Sequence, residues 1–598
     1  MDRVRARGLS TIATAASAAT VYRIGVSTRG MVTRVAVALA ALVPACHRGP
    51  ATEALATSAL LVSASSAPAW GPAPQASVVA PAATAAPAAT AATAPAATAT
   101  LGAEPSWLGD AAFSLENTVD VVITGGTVVD GTGAKGAVAD VVIDDGRILH
   151  VGKVGEVRAT RRIDATGLVV TPGFIDLHAH GSPTGRNPNA LAMGVTTICV
   201  GQDGRSTDEA PTRNLTARIG KKKLAVNVVP FVGHGTVRAK EGVNLTRTPS
   251  TAQLEKMQKR VARELADGAF GLTTGLEYQP GSHAPREELV ALAKSVAAAD
   301  GLVMSHLRSE DDDAIDAALD ELLAQGKEGG ARVHVSHVKI VYGKGAERAE
   351  KLLAHLEEAR RDGVRVTADI YPYEASYTTI GIVFPDFAKP PHNYASVRKN
   401  QRTELATFLK ERVMKRGGPE ATLFGTEPYR GKTLADLAKE SGTSFEDVLM
   451  RIGPNGASAA YFVIDPDTQA RLLVDPHVMF GTDGSETSHH PRGHGTFARV
   501  LRQFVVETPR LSLEEAVRKM SGAAAKVLRL DEQKRGVLAA GFAADVLIFD
   551  PKEIRDEATY VKPHARAKGM RWVFVNGEAA MADGNLGSAR GGKLLLRR

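Results

Sequence analysis

Residues 168–180 read LVVTPGFIDLHAH. An apolar run of strand length ends on His178 and His180, with Gly173 and Pro172 interrupting any helix. Seven further runs repeat this plan: VTTICVG (195–201), LAVNVVPFVGHG (224–235), GLTTGL (271–276), GLVMSHL (301–307), RVHVSHV (332–338), RVTADIYPY (365–373) and HVMFGTDG (477–484). Helical patterns such as Thr251–Asp267, Glu287–Ala299 and Ala346–Asp362 separate several of them. Eight short apolar strands alternating with amphipathic helices are what a (β/α)8 barrel requires. In that fold the working residues sit at the C-terminal ends of the strands. The polar residues obey the rule: His178, His180, Asp203, His234, His306, His337, Tyr371 and Asp483 each fall at or just past the end of an apolar run.

The barrel is expected over 173–530, with an inserted subdomain or lid over about 377–475, where strand-like runs fail. A hundred residues is too long for a structureless loop. On both sides the pattern changes to short strands with glycine turns. DVVITGGTVVDGTG (120–133) and ADVVIDDGRILHVG (139–152) precede the barrel; GVLAAGFAADVLIFDP (536–551) and RWVFVNGEAA (571–580) follow it. The parts at 117–172 and 531–598 are expected to pair into one small β-sandwich.

The first 116 residues read differently. Residues 31–46, MVTRVAVALAALVPAC, give a basic residue, a short apolar run from Val35 to Val43, and small residues before Cys46. That is the plan of a secretory signal starting at Met31, within a signal region of 1–46. The run is too short to cross a bilayer. Its close at Cys46 resembles a lipoprotein cleavage box, with Pro44 as an irregularity; an unlipidated exported form and, behind it, a cytoplasmic protein are the alternatives. The expectation is an exported bacterial protein, periplasmic or anchored to a membrane by one lipid. Residues 47–116 are a tether rich in Ala, Pro and Thr, as in PAATAAPAATAATAPAATAT (81–100), which has nothing to bury. The whole chain, at 44% hydrophobic and 23% charged residues, has globular composition. Its net charge of +7 forms no long basic stripe with aromatics, which argues against nucleic-acid binding. Two cysteines, Cys46 and Cys199, exclude a disulfide framework.

The chemistry follows from the strand ends. In a strand, residues two apart face the same side, so His178 and His180 can grip one metal ion. His306 and His337 each close a strand and would be brought to the same rim by barrel closure. His334, on that same run, is read as not a ligand. Asp483 ends the last strand. A carboxylate there can take a proton from an attacking water and return it to a leaving nitrogen. Arg492, Lys339 and Tyr278 lie near these motifs, and arginine suits bidentate binding of a carboxylate.

Taken together, GFIDLHAHG (173–181), FVGHGTVR (231–238), GAFGLTTGLEYQPG (268–281), SHLRSE (305–310), HVSHVK (334–339), DIYPYEAS (369–376), GTDG (481–484), HPRGHGTFARVL (490–501) and GFAADVLIFDP (541–551) resemble the D-aminoacylase branch of the amidohydrolase superfamily. The resemblance covers about 120–580. It implies hydrolysis of N-acyl-D-amino acids with one or two zinc ions. His306 and His337 would hold the tight zinc, and His178 and His180 a weaker second site. Asp483 would be the acid/base. Tyr278, Lys339, Tyr371 and Arg492 resemble the family's substrate-carboxylate binders, with Tyr373 a rival to Tyr371. The chain departs from the family at Gly201-Gln202-Asp203-Gly204, where relatives carry a zinc-ligating cysteine in a Gly-Asn-Cys-Gly turn. Asp203 occupies that position and is expected to ligate metal in the cysteine's place. Cys199 is read as not substituting.

Two other readings compete. A cyclic-amide hydrolase of the dihydroorotase or hydantoinase kind would carry a metal-bridging carboxylated lysine, and neither VTTICVG nor LAVNVVPFVGHG contains a lysine. A binding lipoprotein that has lost catalysis would lack the acid/base, yet Asp483 and the four histidines are present.

Overall fold

A computed structural model of the chain describes residues 104–107, 112–207, 212–219 and 222–597. The expected signal region, Cys46 and most of the tether lie outside the described residues. Among the described residues, no helix is long and apolar enough to cross a membrane.

The eight expected strands are all there. They are β1 (Phe174–Asp176), β2 (Val195–Val200), β3 (Asn227–Pro230, resuming at Val232–Gly233), β4 (Gly271–Gly275), β5 (Leu302–His306), β6 (Arg332–Val335), β7 (Val366–Ile370) and β8 (Val478–Phe480). Neighbours pair in parallel from β1 to β3 and from β3 to β8. The ring closes where Ala179 bridges Gly484 in parallel and Asp483 N donates to His178 O at 2.7 Å. Closure therefore sets the last strand's carboxylate beside the first strand's histidines.

Inside the ring, residues of one strand parity form an apolar plug: Ile175, Leu177, Cys199, Phe231, Met304 and Met479. Leu595, near the end of the chain, joins it from below. The outward parity packs under the helices. Thr251–Ala266 starts with a reciprocal capping box between Ser250 and Gln253, which fixes its first turn. Arg286–Ala298 and Ala346–Arg361 fall within a residue of the expected bounds.

The flanking segments do join. Val169–Pro172 pairs antiparallel with Val546–Phe549, which links both parts into a single nine-stranded sheet. Ile123, Val141, Ile143, Ile148, Val546, Ile548 and Phe574 bury its core. A polar clamp fastens this sheet to the barrel: Asn227 of β3 donates to Asp545 at 3.0 Å, and Asn576 donates to Asn227 at 2.7 Å.

Between β7 and β8 the chain builds a separate unit. Its three-stranded antiparallel sheet is Ala375–Thr379, Ser458–Phe462 and Thr422–Phe424. Its own core includes Ile380, Phe384, Leu405, Leu409, Phe424 and Leu449. The unit ends before helix Pro466–Val474, which packs on Ala346–Arg361 in the outer ring. The end of the 377–475 stretch is thus barrel rather than insertion.

Candidate metal centre and active site

The strand ends bring together every residue type that a metal hydrolase needs. His178 Nε2 lies 3.3 Å from Asp203 Oδ1 and 3.7 Å from Asp483 Oδ1. His180 Nε2 lies 3.3 Å from Asp203 Oδ2 and 3.1 Å from Asp483 Oδ1. His337 Nε2 is 3.6 Å from Asp203 Oδ1 and 4.0 Å from Asp483 Oδ2. His306 Nδ1 faces His337 Nε2 at 3.0 Å and Asp203 Oδ1 at 3.9 Å. Ligand atoms of His178, Asp203, His337 and Asp483 all fall within 4.8 Å of one another.

This donor set fits a zinc ion. Both ring nitrogens of His178 and Oδ1 of Asp203 are buried without a hydrogen-bond partner. Buried polar groups are seldom left so, and His178 Nε2 facing Asp203 Oδ1 at 3.3 Å offers lone pairs that suit a shared cation. Burial lowers the affinity of His178 for a proton, which favours the neutral, ligating imidazole. Burial also opposes ionisation of Asp203 and Asp483. The imidazoles around Asp203 outweigh it there, and Arg492 with His337 outweighs it at Asp483, so both carboxyls are held well below the ordinary range.

The backbone contributes strain at the same places. Asp203 (φ 53°), His337 (φ 35°) and Asp483 (φ 46°) are left-handed residues without being glycine. Aspartate tolerates this conformation, while histidine does so at a cost of about 1–3 kcal/mol. Asp369 holds the strained turn: its Oδ1 accepts the His337 backbone N–H at 2.9 Å, and its Oδ2 accepts from His334 Nε2 at 2.8 Å. His334 thus stands behind the centre, not in it.

Two carboxylates that the sequence reading did not single out orient the rings. Glu277 Oε2 is 3.1 Å from His306 Nε2, and Glu310 Oε1 is 3.0 Å from His337 Nδ1. Such carboxylate–histidine pairs fix which nitrogen is free to bind metal. Both sit inside quoted motifs, GLEYQPG and SHLRSE, but no spacing rule says which histidine each will meet.

The expected substrate-binding groups divide. Arg492 begins helix Arg492–Arg499 and bonds Asp483 Oδ2 at 2.7 Å through Nη1; its Nη2 donates to Tyr377 O at 3.1 Å. The guanidinium lies 4.9 Å from the Tyr371 ring centre. The Tyr278 ring is 4.6 Å from that of His306. Lys339 is engaged differently than expected: its ammonium donates to Glu310, the carboxylate that pairs with His337 Nδ1, and lies 2.7 Å from that nitrogen, so it braces the histidine's partner as well as facing the pocket. Tyr373 points away, with Arg499 over its ring at 4.7 Å, which leaves Tyr371 as the tyrosine lining the site. A group missed by the sequence reading is Ser376. Its Oγ, like Tyr371 Oη and Arg492 Nε, is buried without a partner in the same narrow pocket.

His234 is not part of the centre; it pairs with Glu288 at 2.7 Å beside Arg238. Cys199 is buried in the barrel plug below the rim.

Comparison with known proteins agrees with this architecture. Residues 420–580 match a family model described as the amidohydrolase family. An N-acyl-D-glutamate deacylase from Alcaligenes xylosoxydans xylosoxydans is 33% identical over 509 residues, covering 81% of this chain and 98% of that protein. A D-aminoacylase from the same organism is 31% identical, covering 80% and 98%. The crystal structure of an N-acyl-D-glutamate deacylase from Bordetella bronchiseptica, complexed with zinc and a phosphonate inhibitor, is 32% identical with a TM-score of 0.70, covering 80% of this chain and 100% of that one. By fold, by site and by these similarities, the chain belongs to the D-aminoacylase family of the amidohydrolases.

Proposed function

We propose that this protein is a zinc-dependent hydrolase that cleaves the amide bond of N-acyl-D-amino acids, releasing a carboxylate and a free D-amino acid. The observation that carries the reading is one continuous site: Asp483 touches the histidine cluster on one side and Arg492 on the other. Proton transfer and carboxylate recognition are thereby fixed a few ångströms apart. The names and activities of the relatives support the substrate class.

His178, His180, Asp203, His306 and His337 would hold the metal, as one or two ions. When bound, zinc polarises an acyl carbonyl and makes water acidic enough to attack near neutral pH. Asp483 accepts the attacking water's proton at a carboxylate oxygen and passes it to the departing nitrogen. Arg492 Nε, Tyr371 Oη and Ser376 Oγ offer three buried donors to the substrate α-carboxylate, and Tyr278 flanks the reacting bond. Glu277, Glu310 and Lys339 keep the two rim histidines oriented.

A cyclic-amide hydrolase is less well supported, because neither VTTICVG nor LAVNVVPFVGHG supplies a lysine that could be carboxylated to bridge two metals. The reading is tested with the zinc-loaded full chain on paired N-acetyl-D- and N-acetyl-L-amino acids. Cleavage confined to the D series supports it, and turnover of cyclic amides alone would replace it.

We further propose that the protein is exported and held to a membrane by a lipid on Cys46. The short apolar run after Arg34 and the small residues before Cys46 support this. Cell fractionation of the Cys46→Ser variant tests it: the variant should leave the membrane fraction.

A further inference from the structure

We infer that the inserted unit is a positioning element for the metal centre: its Arg412 and Arg416 hold Asp311, and with it the neighbouring Glu310, so that the His337 ring stays turned to bind metal. This rests on the metal centre of the proposed hydrolase. The segment after β5 reads Glu310-Asp311-Asp312-Asp313. Four adjacent acids repel one another, and a buried carboxylate is rare unless it is paired. Here Glu310 and Asp311 are buried, and each of the four acids meets a cation from another part of the fold. Glu310 takes Lys339, from the loop after β6. Asp312 takes Arg348 of helix Ala346–Arg361. The inserted unit supplies the other two, from the end of its helix Arg402–Lys415. Asp313 accepts from Lys415 at 2.7 Å. Asp311 accepts from Arg416 Nη1 at 3.0 Å on one oxygen and from Arg412 on the other.

The backbone follows the same route. Val341 bridges Asp311 in parallel on one side and Ile464 of the inserted unit in antiparallel on the other. Val341 N donates to Glu310 O at 2.8 Å, Asp312 N to Val341 O at 3.1 Å, and Tyr342 N to Val463 O at 2.7 Å. The loops that carry Glu310 and Lys339 are thus stitched to each other and then to the insert. Glu310 is in turn the partner of His337 Nδ1, at 3.0 Å. Without the two guanidiniums, Asp311 would be a buried, unpaired charge beside a second carboxylate, a strongly disfavoured state. The segment relieves it by turning Asp311 out to water, which draws Glu310 away from His337. The insert also touches the rim on a different loop, where Gln279 Nε2 donates to Pro390 O at 2.6 Å, and that bond supplies a control.

The test measures zinc affinity of the full chain by competition with a chelator, with no substrate present. Arg412→Met/Arg416→Met should weaken zinc binding about tenfold, the lower end of what the outer partners of a metal ligand contribute. It should also alter the visible spectrum of the cobalt-loaded protein, which reports ligand geometry. Adding Asp311→Asn to that pair removes the unpaired charge and should restore most of the affinity, which lost packing alone would not do. Gln279→Ala should leave zinc affinity unchanged. Arg412→Met alone, which leaves Asp311 with one partner, should give a smaller loss and carries the test if the double variant does not fold. Unchanged affinity in the arginine variants, no recovery with Asp311→Asn, or an equal loss in Gln279→Ala would overturn the inference while leaving the metal centre standing. A parent chain that takes up no zinc would overturn both.

Discussion

At its lower end the barrel is closed by hydrocarbon, and at its upper end by ionisable groups. Phe270 and Leu302 stand at the starts of β4 and β5 and meet Leu530 and Leu595 in an apolar plug. Four residues up the same strand, His306 faces His337 beneath two carboxylates. The upper end keeps buried nitrogens and oxygens without partners and three non-glycine residues in left-handed backbone. One end maximises burial. The other spends stability on an arrangement that only a bound ion and substrate satisfy. Mutations at the two ends should therefore separate activity from stability.

The largest effect is expected at the rim. Asp483→Asn should lower turnover on N-acyl-D-amino acids at least ~100-fold, the usual size of acid/base catalysis, while the protein still binds zinc. Steady-state kinetics with metal analysis of the same sample checks both halves. Retained turnover would move the proton to another group.

A smaller loss is expected one layer deeper. Asp369→Asn should weaken zinc binding about 10–100-fold by releasing the strained turn at His337. Competition with a chelator measures this. Unchanged affinity would show that the turn holds itself. Asp203→Ala should likewise lose metal, whereas Asp203→Cys should restore it with a shift in metal preference, read by comparing zinc with cobalt or cadmium.

At the lower end the pattern should invert. Leu595→Ala should cost about 2–5 kcal/mol and lower Tm, with kcat unchanged. A fall in kcat at temperatures well below Tm would break the comparison, because it would mean that the two ends are mechanically coupled.

The smallest effect concerns Lys519, a buried amine that donates to the carbonyls of Leu473 and Asp475. Burial pulls it down to about 7 from 10.5. Between those values the unfolded chain holds a proton that the folded chain has shed. Stability thus rises with pH across that window and is lowest below it. Lys519→Met should flatten the rise, as followed by Tm at several pH values.

Much of this was legible in the sequence, for a definite reason. The period of apolar residues marks strands and helices, and eight repeats of one plan leave few folds to consider. His178, His180, Asp203, His306, His337 and Asp483 were legible because each ends such a run, and barrel closure sends all strand ends to one rim. Tyr371 and Tyr373 could not be separated, since both follow β7 and only packing turns one towards Arg492 and the other towards Arg499.

The sequence by itself determined the strands, their order and the chemical types gathered at their ends, because these depend on local periodicity and on the topology that it permits. The tertiary structure alone decided who touches whom. It set Glu277 on His306, Glu310 and Lys339 on His337, and Asp369 under the strained turn. It brought Leu595 from the chain's far end into the barrel plug and tied the inserted unit to the rim. Such contacts join residues tens to hundreds of positions apart, and side-chain direction at that range is fixed by close packing in three dimensions, which leaves no period in the sequence to read.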